Sequence, residues 1–189
     1  MVRSTVVGLV VVLLVAKAVS GLNLIPTHWE ERTTSVNFPS QSTRALEIAT
    51  SNGTVEFVGQ EDAKTVELVA RCKAGASTSE RAQQALDAIE VTADGKETET
   101  CRIGWRWRTP QETDWSAAVD FTIRAPKNVN LQIESHNGQL IVKNLAGNAK
   151  ITTHNGRIDA ETAGASLNAE TNNGEIDAKF SGQKVNLHS

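Results

Sequence analysis

Asp159 and Asp177 lie eighteen residues apart, each in an Ile-Asp-Ala step, with Arg157 and Glu175 two residues before them. Two such carboxylates on one face can hold a divalent cation or share acid and base work on a glycosidic bond. No third catalytic group joins them, and the neighbouring column Lys143, Glu161, Lys179 alternates in sign as a solvated ladder does. Asp159 and Asp177 are therefore the metal candidates, without the Gly-Gly-x-Gly-x-Asp repeat of calcium β-rolls. His136 and His154 share the same spacing, but Asn172 takes the third position, so they read as turn residues. Trp105-Arg-Trp107-Arg108 interleaves aromatics with cations, a pattern that can stack on sugars or bases. Strand alternation instead turns Ile103, Trp105 and Trp107 into the core and Arg102, Arg106 and Arg108 into water, and this is the expectation. Cys72 and Cys101 are the only cysteines, each among alternating apolar residues. They are expected on neighbouring strands and bridged, which would stabilise by about 3–4 kcal/mol in the chain-entropy model. Neither a CxxC pair nor a nearby third ligand points to zinc.

The elements that would position these groups are repeats. Leu131-Gln-Ile-Glu-Ser-His-Asn137-Gly138 returns as Ala149-Lys-Ile-Thr-Thr-His-Asn155-Gly156 and as Leu167-Asn-Ala-Glu-Thr-Asn-Asn173-Gly174. Each copy alternates apolar and polar residues up to Asn-Gly, then alternates again to a bend at Gly147, Gly164 or Gly182, which is strand, turn, strand, turn. Asn-Gly is also the strongest short hairpin signal, so an antiparallel β-meander is the alternative. Residue types recur along with polarity: Ser135, Thr153, Thr171 and Ser189 share one register, and Asn137, Asn155 and Asn173 another. Coils stacked about 4.8 Å apart would set each residue on its equivalent, where hydroxyls and amides can form ladders. The expected fold is therefore all-β, a parallel β-helix or β-roll solenoid with 18-residue coils and one short inserted helix.

Upstream, Leu46, Asn52-Gly53, Val55 and Phe57 fit the same template. Their Asn-Gly-Thr sequon is explained by a turn that needs positive φ. An insert over about 60–118 carries the helix: Ser77-Thr-Ser-Glu80 has capping-box spacing, with Ala82, Ala85, Leu86 and Ile89 following on one face. Strands at 65–73 and 98–108 flank it, giving a unit able to cover one end of the stack. Residues 21–44 read as a linker leading to an edge strand at 34–38, with His28 and Trp29 as local packing residues.

Residues 1–20 form a signal peptide: Arg3, an apolar run over 6–16, and Ala16-Lys17-Ala18 ahead of cleavage near Ala18 or Ser20. The run is short of the roughly twenty residues of a spanning helix. The net charge of −3, with mixed signs along the chain, points away from a nucleic-acid partner.

The 46–57 coil ending in Val58-Gly59, the Ser/Glu-rich helix, the strand at 119–123 with Ala125-Pro126 and the run of Asn-Gly coils resemble, in that order, the "putative adhesin" family of secreted bacterial β-helix proteins. The resemblance spans residues 44–189. It implies a parallel β-helix at the cell surface or in the envelope, and brings no catalytic residue and no cofactor. The expected role is a non-enzymatic exported protein, secreted, periplasmic or on the envelope, presenting a stiff binding face to surface glycans or envelope proteins. Two other readings are a polymerising β-helical scaffold, as in the bactofilins, and a polysaccharide lyase or hydrolase. Residues 185–189 fill the first strand of a fourth coil, which predicts either further sequence or self-association through this edge.

Overall fold

The computed structural model describes residues 25–189; the expected signal peptide and the start of the expected linker lie outside the described residues. The described chain is mostly β-strand with one short helix, arranged as two seven-stranded sheets. The strands are β1 (His28–Pro39), β2 (Ala45–Asn52), β3 (Val55–Gln60) and β4 (Thr65–Ala76), then helix α1 (Ser79–Ala88) and β5 (Ile89–Asp94). They continue as β6 (Thr100–Trp107), β7 (Ser116–Pro126), β8 (Asn130–Asn137), β9 (Leu140–Leu145), β10 (Ala149–Asn155), β11 (Ile158–Thr162), β12 (Ser166–Asn173), β13 (Ile176–Phe180) and β14 (Lys184–His188). One sheet runs β1-β4-β7-β3-β9-β11-β13 and the other β14-β12-β10-β8-β2-β6-β5.

The repeat strands pair in parallel, so the antiparallel meander is not the arrangement here. Ile151 faces Ile133 on one side and Ala169 on the other, and Asn155 faces Asn137 and Asn173. In the opposite sheet Ile158 lies between Leu140 and Ile176. Alternation therefore fills the space between the sheets with Leu131, Ile133, Leu140, Val142, Ile151 and Ile158, all buried. Each such side chain contributes about 1.5–3 kcal/mol by leaving water.

Glycines at the Asn-Gly edge are required by close approach. A Cβ on Gly138, Gly156 or Gly174 would land on the carbonyl oxygen of the glycine one coil before it. Positive φ, the expected reason, applies at Gly53 (129°) and Gly138 (150°), while Gly156 and Gly174 lie outside that region. At the other edge Gly147, Gly164 and Gly182 stack against the carbonyls of Val129, Gly147 and Gly164.

The capped end departs from expectation in four ways. The edge strand starts at His28, and β1 pairs antiparallel with β4 along its whole length, so half of the supposed linker is strand. Trp29 lies at the surface of this edge, 55% exposed, with its ring over Gly75. The supposed insert also belongs to both sheets: β4 pairs antiparallel with β7, whereas β6 pairs in parallel with β2, Leu46 facing Cys101. Thus β6 and β7 add a coil outside β2 and β3, and α1, buried through Ala82, Ala85 and Leu86, closes that end against β1 and β4. Third, the helix is capped by Thr78, whose hydroxyl accepts from the Arg81 N–H at 3.3 Å. Ser77 is drawn away because its hydroxyl donates to Asp114 at 2.7 Å.

The fourth departure concerns Cys72 and Cys101, which are free and fully buried, one in each sheet. Cys72 faces Arg32 and Val119 across its strand pairs, and Cys101 faces Leu46, so they are not cross-strand neighbours. Alternation placed both correctly toward the interior, but it says nothing about which sheet a strand joins.

Candidate functional site

At the capped end, the C-terminal part of β6 meets the turn after β2 and the start of β7. Trp105 and Trp107 are alternate residues of β6 and so share a face. Their rings meet edge to face at 5.5 Å and 82°, and Trp107 lies 5.5 Å from Trp115 at 40°. Trp105 and Trp107 are half-buried against the core, while Trp115 is 7% exposed. The three rings line a cleft of about 520 Å³ together with Ser51, Asn52, Arg106, Gln111, Ser116 and Ala117. That volume falls within the roughly 300–1,000 Å³ typical of ligand pockets. A second hollow of about 350 Å³, over Ala49, Thr50, Ser51, Glu134 and Ser135, also has Trp105 in its lining.

Hydrogen bonds hold the cleft walls. The Trp105 indole N–H donates to the Thr50 hydroxyl at 3.3 Å, and the Gln111 side-chain amide donates to the Trp115 carbonyl at 2.8 Å. The loop over 108–115 is tied to α1 by Arg81, which contacts Asp114 at 2.5 Å and Glu112 at 2.7 Å. Hydrogen bonds from Arg81 and Ser77 hold the Asp114 carboxyl well below the usual aspartate range and outweigh its desolvation. Arg106 is already engaged with Glu90 at 2.8 Å. The Trp115 indole N–H is buried and has no acceptor.

From the cleft an asparagine ladder runs along the edge. Asn137 donates to Asn52 at 2.9 Å, Asn155 to Asn137 at 2.8 Å, and Asn173 to Asn155 at 2.9 Å. Asn52, the first rung, also lines the cleft. A second ladder at the same eighteen-residue spacing joins Asn148 to Asn130 at 3.2 Å and Ser166 to Asn148 at 3.0 Å. The expected hydroxyl ladder does not form: Ser135 and Thr153 hydroxyls have no partner, and Thr171 donates to the Gly156 carbonyl at 3.1 Å. Hydroxyls turned inward at coil spacing are too far apart for one another, whereas longer amides bridge the gap.

Asp159 and Asp177 do stack as parallel partners, but Arg157 lies between them, 2.6 Å from Asp159 and 3.5 Å from Asp177. It also reaches Glu175 at 3.0 Å, and Gln139 donates to Asp159 at 2.6 Å. Burial raises the Asp159 pKa, yet the bonds from Arg157 and Gln139 prevail and leave it below the usual range. Both oxygens of Asp159 are thereby occupied by donors, which suits an ion-pair ladder better than a cation. Among the described residues no group of three or more His, Cys, Asp or Glu is placed to hold a metal. His136 and His154 stack with rings 4.9 Å apart and nearly parallel, exposed to solvent.

Residues 14–189 match the Toastrack DUF4097 family. The chain belongs to that family. This Toastrack chain matches no curated protein. Several solved structures resemble it at low identity, three of them as follows. A "putative cell adhesion protein" from Clostridium sporogenes shares 10% identity, with 85% of this chain and 99% of that one covered and a TM-score of 0.33. A "putative adhesin" from Parabacteroides distasonis shares 8%, covering 79% and 66%, with a TM-score of 0.42. Another from Bacteroides fragilis shares 12%, covering 83% and 93%, with a TM-score of 0.30.

Sequence reasoning singled out Trp105 and Trp107 in this Toastrack chain but assigned them to the core, and it passed over Trp115. The loop that carries Trp115 has no periodicity to read. The available signal was a third tryptophan close behind an alternating pair.

Proposed function

We propose that this protein is an exported, non-enzymatic binding module of the cell surface or envelope, an adhesin-like solenoid built as a parallel β-helix of 18-residue coils. The observation that supports it best is the state of the outward polar groups. Asparagine ladders and ion pairs such as Arg157–Asp159 and Lys143–Glu56 satisfy them within the protein, giving a stiff surface in which the carboxylates are engaged rather than poised for proton transfer. A stiff face loses little conformational entropy on binding. Expression in a bacterium with fractionation tests the reading. The chain should be recovered from the envelope or medium with its N-terminus just after Ala18 or Ser20, and cells displaying it should adhere to immobilised glycans or envelope proteins. Uncleaved cytoplasmic protein, or display without added adhesion, would refute it.

Self-association has one observation of its own. β14 is the outermost strand of its sheet, with Val185 and Leu187 paired in the inward register of Leu167 and Ala169 yet 47% and 49% exposed. Such an edge can template a further strand. Filaments in electron micrographs, lost on Leu187→Lys, would favour the polymerising reading.

A further inference from the structure

We infer that the tryptophan cleft at the capped end is a carbohydrate-binding site that takes an uncharged oligosaccharide. The inference rests on the binding-module reading and gives it a place and a ligand class.

Three features carry it. Trp105 and Trp107 contribute half-buried indoles to a cleft open to solvent, and flat aromatic surface suits the C–H faces of pyranose rings. A core role alone would fill the space between these rings and β7, whereas the structure leaves a cleft of about 520 Å³ there. The polar lining offers the Ser51 hydroxyl, which can donate or accept, and the side-chain oxygen of Gln111, whose amide nitrogen is held by the Trp115 carbonyl, as a hydroxyl-rich ligand requires. Third, the Trp115 ring lines the same cleft and packs on Trp107, so the aromatic wall extends over three indoles.

Charge narrows the class. Arg106, the cation in the lining, is paired with Glu90 at 2.8 Å, so a polyanion would have to compete for it. The adjoining recess holds Glu134, which repels phosphate or carboxylate. Trp105 and Ser51 line both hollows, so a ligand longer than one ring can pass across Trp105 from one to the other.

The test is titration of the purified chain with cellohexaose, chitohexaose, maltohexaose and xylohexaose, read by intrinsic tryptophan fluorescence and calorimetry. A polygalacturonate oligomer and a proline-rich peptide serve as comparison. At least one neutral oligosaccharide should bind saturably and shift the emission. Trp107→Ala should weaken it at least tenfold and Trp107→Phe less than about threefold. Should Trp107→Ala fail to fold, Ser51→Trp fills the cleft from an exposed position without removing a core contact, and should also abolish binding. Neutral-sugar binding unchanged by Ser51→Trp would overturn the cleft assignment while leaving the binding-module reading in place. Preference for the polyanion or the peptide at the cleft would overturn the ligand class. Lack of binding by every neutral sugar, in a chain that still adheres when displayed on cells, would overturn the inference alone.

Discussion

Thr153 and Thr171 occupy successive rungs of one inward column, both fully buried, but they differ in one hydrogen bond. The Thr153 hydroxyl has no partner, and the Thr171 hydroxyl donates to the Gly156 carbonyl at 3.1 Å. Valine keeps the β-branch and replaces the hydroxyl with a methyl group of similar size. At Thr153 this removes an unpaired buried group, whose cost is about 1–3 kcal/mol, and adds apolar burial. Thr153→Val should therefore stabilise by about 1–2 kcal/mol. At Thr171 the substitution forfeits a bond worth about 0.5–1.5 kcal/mol net and leaves a carbonyl without that donor, so Thr171→Val should be neutral to destabilising by about 1 kcal/mol. The two variants should separate by about 2 kcal/mol, or several degrees in Tm for a chain of this size. Urea unfolding with unchanged m isolates the effect on the folded state. Equal losses from both substitutions would refute the reasoning, because they would mean that Thr153 is satisfied in the same way as Thr171.

Three further outcomes follow from the same structure. Asn155→Ala removes a rung that donates at 2.8 Å and accepts at 2.9 Å, and should cost about 1–2 kcal/mol in denaturant unfolding; no loss would mean that the ladder is decorative. Asp114, held below its ordinary pKa by Arg81 and Ser77, binds protons more readily when unfolded. Its contribution is complete above about pH 4 and is lost as pH falls below that value, so Asp114→Asn should lower stability at neutral pH and narrow its gap to the parent protein in acid, as thermal melts across pH would show. Burial pushes the Cys101 thiol up to about 11 and raises Cys72 as well, partly opposed by Arg32. Both should resist iodoacetamide in the native protein and react fully in denaturant; a mass two hydrogens short in the exported protein would restore the expected bridge.

The repeat coils were legible because two signals coincide in them. Alternation named Leu131, Ile133, Ile151 and Ile158 as inward, and recurrence of Asn137, Asn155 and Asn173 at one spacing placed them in a column. The capped end was less legible because its partners are distant in sequence. That β6 lies outside β2, with Cys101 against Leu46, is a matter of stacking order that no local pattern records. Thr78 rather than Ser77 caps α1 because Asp114, far along the chain, takes the Ser77 hydroxyl. Likewise, period two correctly gave Trp105 and Trp107 the same face, but it could not reveal that the loop over 108–115 leaves that face half-covered. The Asp159 and Asp177 pair was visible as geometry, whereas its occupation by Arg157 depends on a side-chain rotamer.

Whether the chain binds neutral oligosaccharides, as proposed, or transforms them is tested most directly by following one incubation in two ways. The chain is mixed with the neutral oligosaccharides, saturation is followed by calorimetry, and the sugars are then weighed by mass spectrometry after prolonged contact. Saturable heat with every oligosaccharide recovered at its starting mass is the predicted result. Shortened or unsaturated products, lost on Asp159→Asn or Asp177→Asn, would contradict the account and return those carboxylates to catalysis.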